Sequence, residues 1–283
     1  MDWQASAAKI YWAFFVVWFL LVAIWETRTP RLTLHCLSGR RWCAHGVLFA
    51  ICILSTPVVL RVTPVAAALA WERGGWAGLM RVREWHWTAA LTFTFVLLDI
   101  LQYFVHRMLH LVPALWRVHE IHHSDPDFDV GTAGRFHPLE VVVTTASQLV
   151  AIALFAPPAW AIFCSSLIST GMNLLTHANA SLPPWLESRI RLVLITPDLH
   201  RIHHSAEEAD FSRNFGQALI VWDRLFGTQL EEPVGGQDRM RVGVPGRDGE
   251  ENLAVMRLLA RPFEKRRTRS ETAAGAEPVG RRR

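Results

Sequence analysis

The sequence predicts an all-α protein: a polytopic membrane bundle of about four to six membrane helices with a helical cap on its cytosolic side. Hydrophobic residues make up 51 % of the 283 residues and charged residues only 19 %, and the mean hydropathy is +0.19. Soluble domains carry about 25 % charged residues. Apolar runs of membrane-spanning length also recur along the chain. These features exclude a disordered, collagen-like or disulfide-stapled secreted protein.

Four apolar segments supply the predicted membrane helices. Ile10–Trp25 is predicted as an uncleaved span, because it lacks the basic start and small-residue cleavage site of a signal peptide. Val47–Trp71 is interrupted by prolines and is either one kinked span or a helical hairpin. Trp87–Val105 is the next span. Val141–Leu175 is broken by Pro157-Pro158, which predicts a hairpin of two short helices.

Basic residues in the loops predict the orientation of these spans. The first loop carries four arginines (Arg28, Arg31, Arg40 and Arg41), which places it in the cytoplasm. The third span and the hairpin then both return to that side. Only Lys9 and Lys265 among the 29 basic residues are lysines, which is typical of a GC-rich bacterial genome. We therefore expect an integral protein of the bacterial inner membrane.

Histidines are concentrated in one part of the chain. Of the 13 histidines, ten lie between positions 106 and 204. They comprise an HxxxH pair, two HxxHH triplets and two single residues: His106 and His110; His119, His122 and His123; His200, His203 and His204; His137 and His177. Residues at i, i+3 and i+4 of a helix project to the same side, so each triplet presents two or three imidazoles toward one point. Such a number of ligands exceeds the needs of one four-coordinate ion and predicts a site for two metal ions.

Two functions without redox chemistry would also use metal-binding histidines. His119-Glu120-x-x-His123 matches the HExxH signature of a zinc metalloprotease, in which the glutamate is the general base. That assignment leaves most of the histidines unexplained, and the second triplet has Arg201 where the glutamate would stand. A His-rich membrane metal transporter is the second alternative, but it predicts polar residues spread through the spans rather than histidines gathered at one side.

The order of these motifs resembles the sterol desaturase / fatty acid hydroxylase superfamily of membrane di-iron oxygenases. The resemblance runs from about Phe93 to Thr228 and includes Arg135-Phe136-His137-Pro138-Leu139-Glu140, Asn214-Phe215-Gly216 and the segment Trp222 to Thr228. Its bacterial branch and its alkylglycerol monooxygenase branch are the most similar. The resemblance divides the chain into N-terminal membrane helices (residues 1–86), a fatty acid hydroxylase-type catalytic domain (87–228), a cytosolic or interfacial segment (229–265) and a disordered tail (266–283).

The resemblance implies two iron ions at the cytosolic face, O2 as cosubstrate, and hydroxylation or, less favoured, desaturation of a membrane lipid. The substrate would be a sterol-like ring, a fatty acyl or sphingoid chain, an alkylglycerol or a carotenoid, in a dry channel. The implied ligands are His106, His110, His119, His122, His123, His177, His200, His203 and His204, with His137 as a further candidate. Asn173 stands where some relatives have another histidine. Asp99 and Asp198 are predicted as carboxylates that orient ligand histidines.

The oxidation that the resemblance implies consumes two electrons, and the sequence shows no cofactor-binding motif that would supply them. The sequence contains no Gly-rich nucleotide-binding turn and no cysteine quartet. A separate electron-transfer protein is therefore expected as a partner, and the resemblance implies a pterin donor as an alternative, together with the lipid substrate and the membrane. A net charge of +4 is modest for a nucleic-acid-binding protein, so no nucleic acid is expected.

Overall fold

The computed structural model describes residues 3–34, 38–238, 240–247 and 253–264. Within these ranges the chain is all-helical and contains no strand, which confirms the predicted fold class. The helices are α1 (Trp3–Arg28), α2 (Ser38–Leu60), α3 (Pro64–Arg73), α4 (Trp87–Leu111), α5 (Pro113–His123), α6 (Pro138–Phe155), α7 (Ala159–Thr176), α8 (Pro184–Ile190), α9 (Pro197–His203), α10 (Glu208–Phe211), α11 (Val221–Leu225) and α12 (Val255–Ala260). The predicted tail (266–283) lies outside the described residues.

Five helical segments within the described ranges are long and apolar enough to cross a membrane. They are Ser6–Arg28, Gly39–Arg73, Trp87–Leu111, Pro138–Phe155 and Ala159–Thr176. Their number agrees with the predicted polytopic bundle. The last two segments are the predicted hairpin, since α6 and α7 are separated at Pro157-Pro158.

The segment with internal prolines, 39–73, consists of two helices. α2 ends at Leu60, and Arg61 adopts a left-handed conformation with φ of 58°. The Thr63 side chain then accepts a hydrogen bond from Ala66 N and caps α3, which begins with Pro64. Ten residues of helix span about 15 Å, or half of the hydrocarbon core. The segment is therefore a full span followed by a half-length helix.

The end of the bundle away from the histidines is closed by the packing of α3 against α6 and α7. Ala68 of α3 packs against Ile152, Ala159 and Ile162 of the α6–α7 hairpin. The loop after α3 continues this contact, because Leu79 N donates to Leu154 O at 2.8 Å. Gly78 is required there: its φ is +71°, and a Cβ atom would lie 2.4 Å from the Phe155 carbonyl.

The opposite end of the bundle carries the histidines. Glu26, near the end of α1, accepts hydrogen bonds from Val130 N and Asn179 N. His106 lies near the end of α4 and Glu140 in the first turn of α6, while the residue after α7 is His177. The spans alternate in direction, as the sequence predicts, and α5 and α8–α12 cover this end. The cap has its own core, formed by Ile195, Leu199, Ile202, Ile220 and Met240.

Candidate metal centre

Nine of the ten predicted histidine ligands gather in two neighbouring groups. Within each group, one ligand atom per residue lies within 4.8 Å of every other. The five-histidine group contains His106, His110, His119, His123 and His203, and the four-histidine group contains His122, His177, His200 and His204. The groups adjoin, since the rings of His123 and His204 stack at 4.4 Å between centroids.

Each HxxHH triplet is divided between the two groups. In the first triplet, His119 and His123 belong to the five-histidine group, and His122 belongs to the other. In the second triplet the assignment is reversed, because His200 and His204 join the four-histidine group and His203 joins the five. The i, i+4 pair of each triplet thus serves one group and the i+3 residue serves its neighbour. Each copy of the motif therefore contributes ligands to both groups, and neither copy forms a group by itself.

The imidazole nitrogens converge at distances that suit a shared ion. In the five-histidine group, His119 Nε2 lies 3.2 Å from His106 Nε2 and 3.1 Å from His123 Nε2. In the four-histidine group, His177 Nε2 lies 3.2 Å from His122 Nε2 and 3.0 Å from His200 Nε2. Ligand nitrogens at about 2.1 Å from one metal ion lie roughly 3.0–3.4 Å apart.

Several ring nitrogens in these groups have no hydrogen-bond partner although they are buried. Among the described residues, both nitrogens of His110 and the Nε2 atoms of His203 and His204 lack one. Buried polar atoms without partners are costly in a protein interior. A metal ion in each group would satisfy one nitrogen of His110 and the Nε2 atoms of His203 and His204, so the donor set fits two ions.

The opposite face of the ligand rings is fixed by hydrogen bonds. The Nδ1–H of His119 donates to Glu140 Oε1 at 2.8 Å. Four further rings donate from Nδ1 to backbone carbonyls: His106 to Phe215 O, His122 to Arg135 O, His177 to Asn173 O, and His203 to Arg213 O. A second hydrogen bond of this kind sets the tautomer and orientation of a metal-binding histidine and leaves Nε2 as the ligand atom.

Burial keeps the imidazoles neutral. It lowers the pKa of His119 to about 3 and that of His177 to about 4. Burial also holds the pKa well below its usual range for the other histidines outside the spans: His122, His123, His200, His203 and His204. Metal ions bind the neutral form of imidazole, so the centre is preorganised for them.

Comparisons with known proteins agree with this geometry. Residues 91–228 match the family model described as fatty acid hydroxylase. That segment includes all nine grouped histidines and Glu140. Residues 91–228 are therefore similar to the fatty acid hydroxylase family over the whole segment that holds these side chains. The predicted resemblance is confirmed, and no solved structure gives a significant match to the chain.

Several curated proteins are similar to this chain, and their names describe hydroxylases and monooxygenases. The chain is 28 % identical to ornithine lipid hydroxylase OlsE of Rhizobium tropici over 221 residues, covering 78 % of this chain and 63 % of the relative. It is 31 % identical to human alkylglycerol monooxygenase over 56 % of this chain and 34 % of the relative. It is also 31 % identical to fatty acid hydroxylase vlmA of Lecanicillium sp over 58 % and 49 % of the two chains. The chain thus spans between a third and two thirds of the length of these relatives.

The structure places the other predicted residues of the hydroxylase domain outside the two groups. Asn173 supports His177 through its backbone carbonyl and donates from its side chain to Ala133 O. His137 has both ring nitrogens engaged: Nδ1 accepts from Leu139 N and caps α6, and Nε2 lies 3.2 Å from Leu259 O. Asp198 forms an ion pair with Arg201 and lies 3.7 Å from Arg31.

The hydrogen bonds of Asp99 go to a neighbouring loop, not to a histidine. Its carboxylate accepts hydrogen bonds from Ala218 N and Leu219 N and from the Trp222 indole. It thereby anchors the loop that contains Phe215, whose carbonyl orients His106. A second carboxylate secures the same loop, because Asp223 accepts from Phe215 N and Gly216 N at 2.8 Å.

Sequence reasoning missed two carboxylates of the hydroxylase domain. Glu140 is the carboxylate that contacts a grouped histidine, and it ends the Arg-Phe-His-Pro-Leu-Glu motif that carried the resemblance. Asp125 lies two residues after His123 and binds the fully buried Arg41 at 2.7 Å. Burial raises the pKa of Asp125, but Arg41 and His45 hold it well below its usual range. A short acidic motif after the first triplet was the available signal.

Two neighbouring cavities lie inside the bundle, and the first of them reaches the histidine groups. The first, of about 300 Å³, extends between α4, α6 and α7 and is lined by members of both groups and by many Ser, Thr and Gln side chains. Its lining is therefore polar, whereas the resemblance implies a dry channel for the lipid chain. The second, of about 290 Å³, lies between α1, α2 and residues 130–136 and is lined by aromatic rings. Tyr11, Phe136, Thr170 and Asn173 line both cavities.

Proposed function

We propose that this protein is an O2-dependent lipid hydroxylase with two iron ions in its histidine groups. The observation that carries the proposal is the position of the centre: nine buried histidines stand at one end of a membrane bundle, and members of both groups line a cavity between the spans. Imidazole alone does not select iron over zinc or copper. The fatty acid hydroxylase match, together with the names of the hydroxylase and monooxygenase relatives, supports iron.

The reaction replaces one C–H bond of the lipid by C–OH. One oxygen atom of O2 enters the product, the other leaves as water, and two electrons and two protons are supplied by an external donor. The iron pair would supply the oxidising power that acid–base side chains lack. The chain's own contribution is to gather nine imidazoles, five of which are fixed in orientation by a further hydrogen bond, such as that from His119 to Glu140.

The location of the protein follows from the same features. Five apolar segments support a membrane protein. Because the first loop is rich in arginine, we assign the centre to the cytoplasmic side of a bacterial inner membrane. A separate electron-transfer protein or a pterin would deliver the electrons there.

The contacts of Glu120 disfavour the metalloprotease alternative. A protease base has to face the metal and its bound water, whereas Glu120 Oε1 accepts a hydrogen bond from Arg247 Nε at 2.8 Å. The two outer histidines of the HExxH match, His119 and His123, belong to a five-membered group. A metal transporter is disfavoured because five of the grouped rings are each fixed by a further hydrogen bond, which is typical of resident ions.

Metal content tests the proposal directly. The detergent-purified protein should hold about two irons per chain, and its expression should produce membrane lipids that are heavier by one oxygen atom. His122→Ala and His203→Ala each remove one ligand from a different group. We expect each variant to lose iron and to abolish the oxygenated lipid, because both ions take part in the reaction.

Two control variants distinguish the alternatives. His86 is exposed and lies outside both groups, so His86→Ala should keep both irons and full activity. Glu120→Gln should do the same. A protein that holds one zinc ion and loses a proteolytic activity in Glu120→Gln would contradict the hydroxylase proposal and support the protease.

A further inference from the structure

The cavity beneath the histidines extends deep into the membrane bundle. On α6 its lining runs from Glu140 to Gln148, which is about 12 Å along the helix axis. On α7 it reaches Ser165, which lies about 18 Å along the chain's helical rise before His177. A substrate segment that enters this cavity therefore lies next to the histidines.

The cavity offers hydrogen-bonding groups that the protein leaves unused. Ser165 is fully buried, and its Oγ has no partner among the described residues. The amides of Gln102 and Gln148 line the same cavity and make no hydrogen bond to any described residue. Polar side chains at membrane depth that face the inside of a bundle mark functional sites.

A hydrocarbon chain would fill this cavity poorly. Each buried polar group that stays unpaired costs about 1–3 kcal/mol, and the cost is no smaller within a membrane, where lipid supplies no partners. A substrate segment with donors and acceptors of its own would pair these groups. The lining therefore selects for polarity close to the carbon that is oxidised.

The aromatic cavity supplies the place for the rest of a lipid. Phe15, Phe19 and Phe49 line it, and it is separated from the polar cavity by a 2.9 Å hydrogen bond between Tyr11 and Thr170. Phe136 lines both cavities and stacks on His122 at 4.7 Å between ring centroids. A lipid lying across this boundary would bring the junction of its polar and apolar parts beside the histidines.

We propose that the substrate is a lipid oxidised at or next to a hydrogen-bonding segment, such as an amide-bearing or hydroxylated head group. That segment occupies the polar cavity, and the hydrocarbon chain occupies the aromatic cavity. This inference rests on the proposed hydroxylase function and adds the part of the lipid that is oxidised. The reaction has the stoichiometry of the hydroxylation given above: O2 and an external two-electron donor are the co-reactants.

The position of the new oxygen atom tests the inference. Lipids are extracted from a bacterial host that expresses the full chain and from one that expresses His122→Ala, and the difference is analysed by tandem mass spectrometry. We expect the added oxygen in the head-group fragments or on the carbon directly bonded to them. Oxygen within the hydrocarbon chain, away from any polar group, would overturn the inference while leaving the hydroxylase function intact. The absence of any lipid that depends on His122 would overturn both.

Cavity variants provide the second arm of the test. Gln148→Leu and Ser165→Ala should each lower the yield of oxygenated lipid by about fivefold to tenfold, which corresponds to one lost hydrogen bond, at unchanged metal content. Ser147→Ala is the matched control, because the Ser147 hydroxyl bonds to Thr144 O within α6 and does not line the cavity. An unchanged yield in both cavity variants would show that these side chains hydrogen-bond to water and not to the substrate, and would overturn the inference.

Discussion

The five-histidine and four-histidine groups differ in what holds their ligands. In the five-histidine group, His119 donates to the carboxylate of Glu140, while His106 and His203 donate to backbone carbonyls. The observed supports of the four-histidine group, at His122 and His177, are carbonyls alone. A carboxylate raises the basicity of the imidazole it accepts from. One motif, used twice, therefore contributes to two histidine groups with unequal supports.

The two groups also share a support, and its removal should have the largest effect. Both draw ligands from α5, whose end is followed by Asp125. The buried ion network of Asp125, Arg41 and Asp129 holds this turn. Asp125→Asn leaves part of the Arg41 charge unpaired, which should lower the free energy of unfolding by about 3 kcal/mol. Metal content should fall in both groups.

Denaturant unfolding in detergent micelles measures this change. Asp238→Asn is the matched control, because Asp238 pairs with Arg31 but its side chain is 81 % exposed. An exposed pair is worth about 0–1 kcal/mol. If Asp125→Asn removed metal from one group alone, the idea of a shared support would be wrong.

A change at Glu140 should separate the two groups. Glu140→Gln keeps an oxygen that accepts from His119 but removes the charge. The metal affinity of the five-histidine group should therefore fall about tenfold, which is the smaller end of the loss seen when the hydrogen-bond partner of a metal ligand is changed. The four-histidine group should be unaffected. Competition with a chelator should show one weakened binding step out of two.

Double variants assign the weakened step. The effect of Glu140→Gln should persist in a His122→Ala background, where the four-histidine group is incomplete, and should largely disappear in a His203→Ala background. Equal weakening of both steps would show that Glu140 does not distinguish the groups. Ser147→Ala, on the same helix, serves as the control.

The smallest effect is expected at His137, which the sequence included among the candidate ligands. Its ring caps α6 and contacts Leu259 O. Asparagine is also a favourable N-cap residue, so His137→Asn should keep both metal ions and nearly full stability. His137→Ala should lower the free energy of unfolding by about 1 kcal/mol at unchanged metal content. Loss of one ion in His137→Asn would identify this residue as a tenth ligand.

Much of the architecture could be predicted because it depends on local patterns. The hairpin at Pro157-Pro158 follows from two apolar runs separated by residues that stop a helix. The break within residues 39–73 was ambiguous, because the left-handed turn at Arg61 is set by packing of α3 against the hairpin. Asp99 and Asp198 were assigned to histidines by proximity in sequence, and helical proximity does not determine which backbone groups or arginines a carboxylate meets.

The sequence by itself determined the membrane bundle and the set of histidines, because hydrophobic length and helical spacing are properties of neighbouring residues. The order of its motifs also gave the resemblance to fatty acid hydroxylases, with which the family model over residues 91–228 agrees. Tertiary structure decided how each triplet is divided between the groups, that Glu140 rather than Asp99 supports a ligand, and that the adjoining cavity is polar. These features arise where side chains far apart in sequence meet, and only the packing of α4, α5, α6, α7 and α9 against one another brings them together.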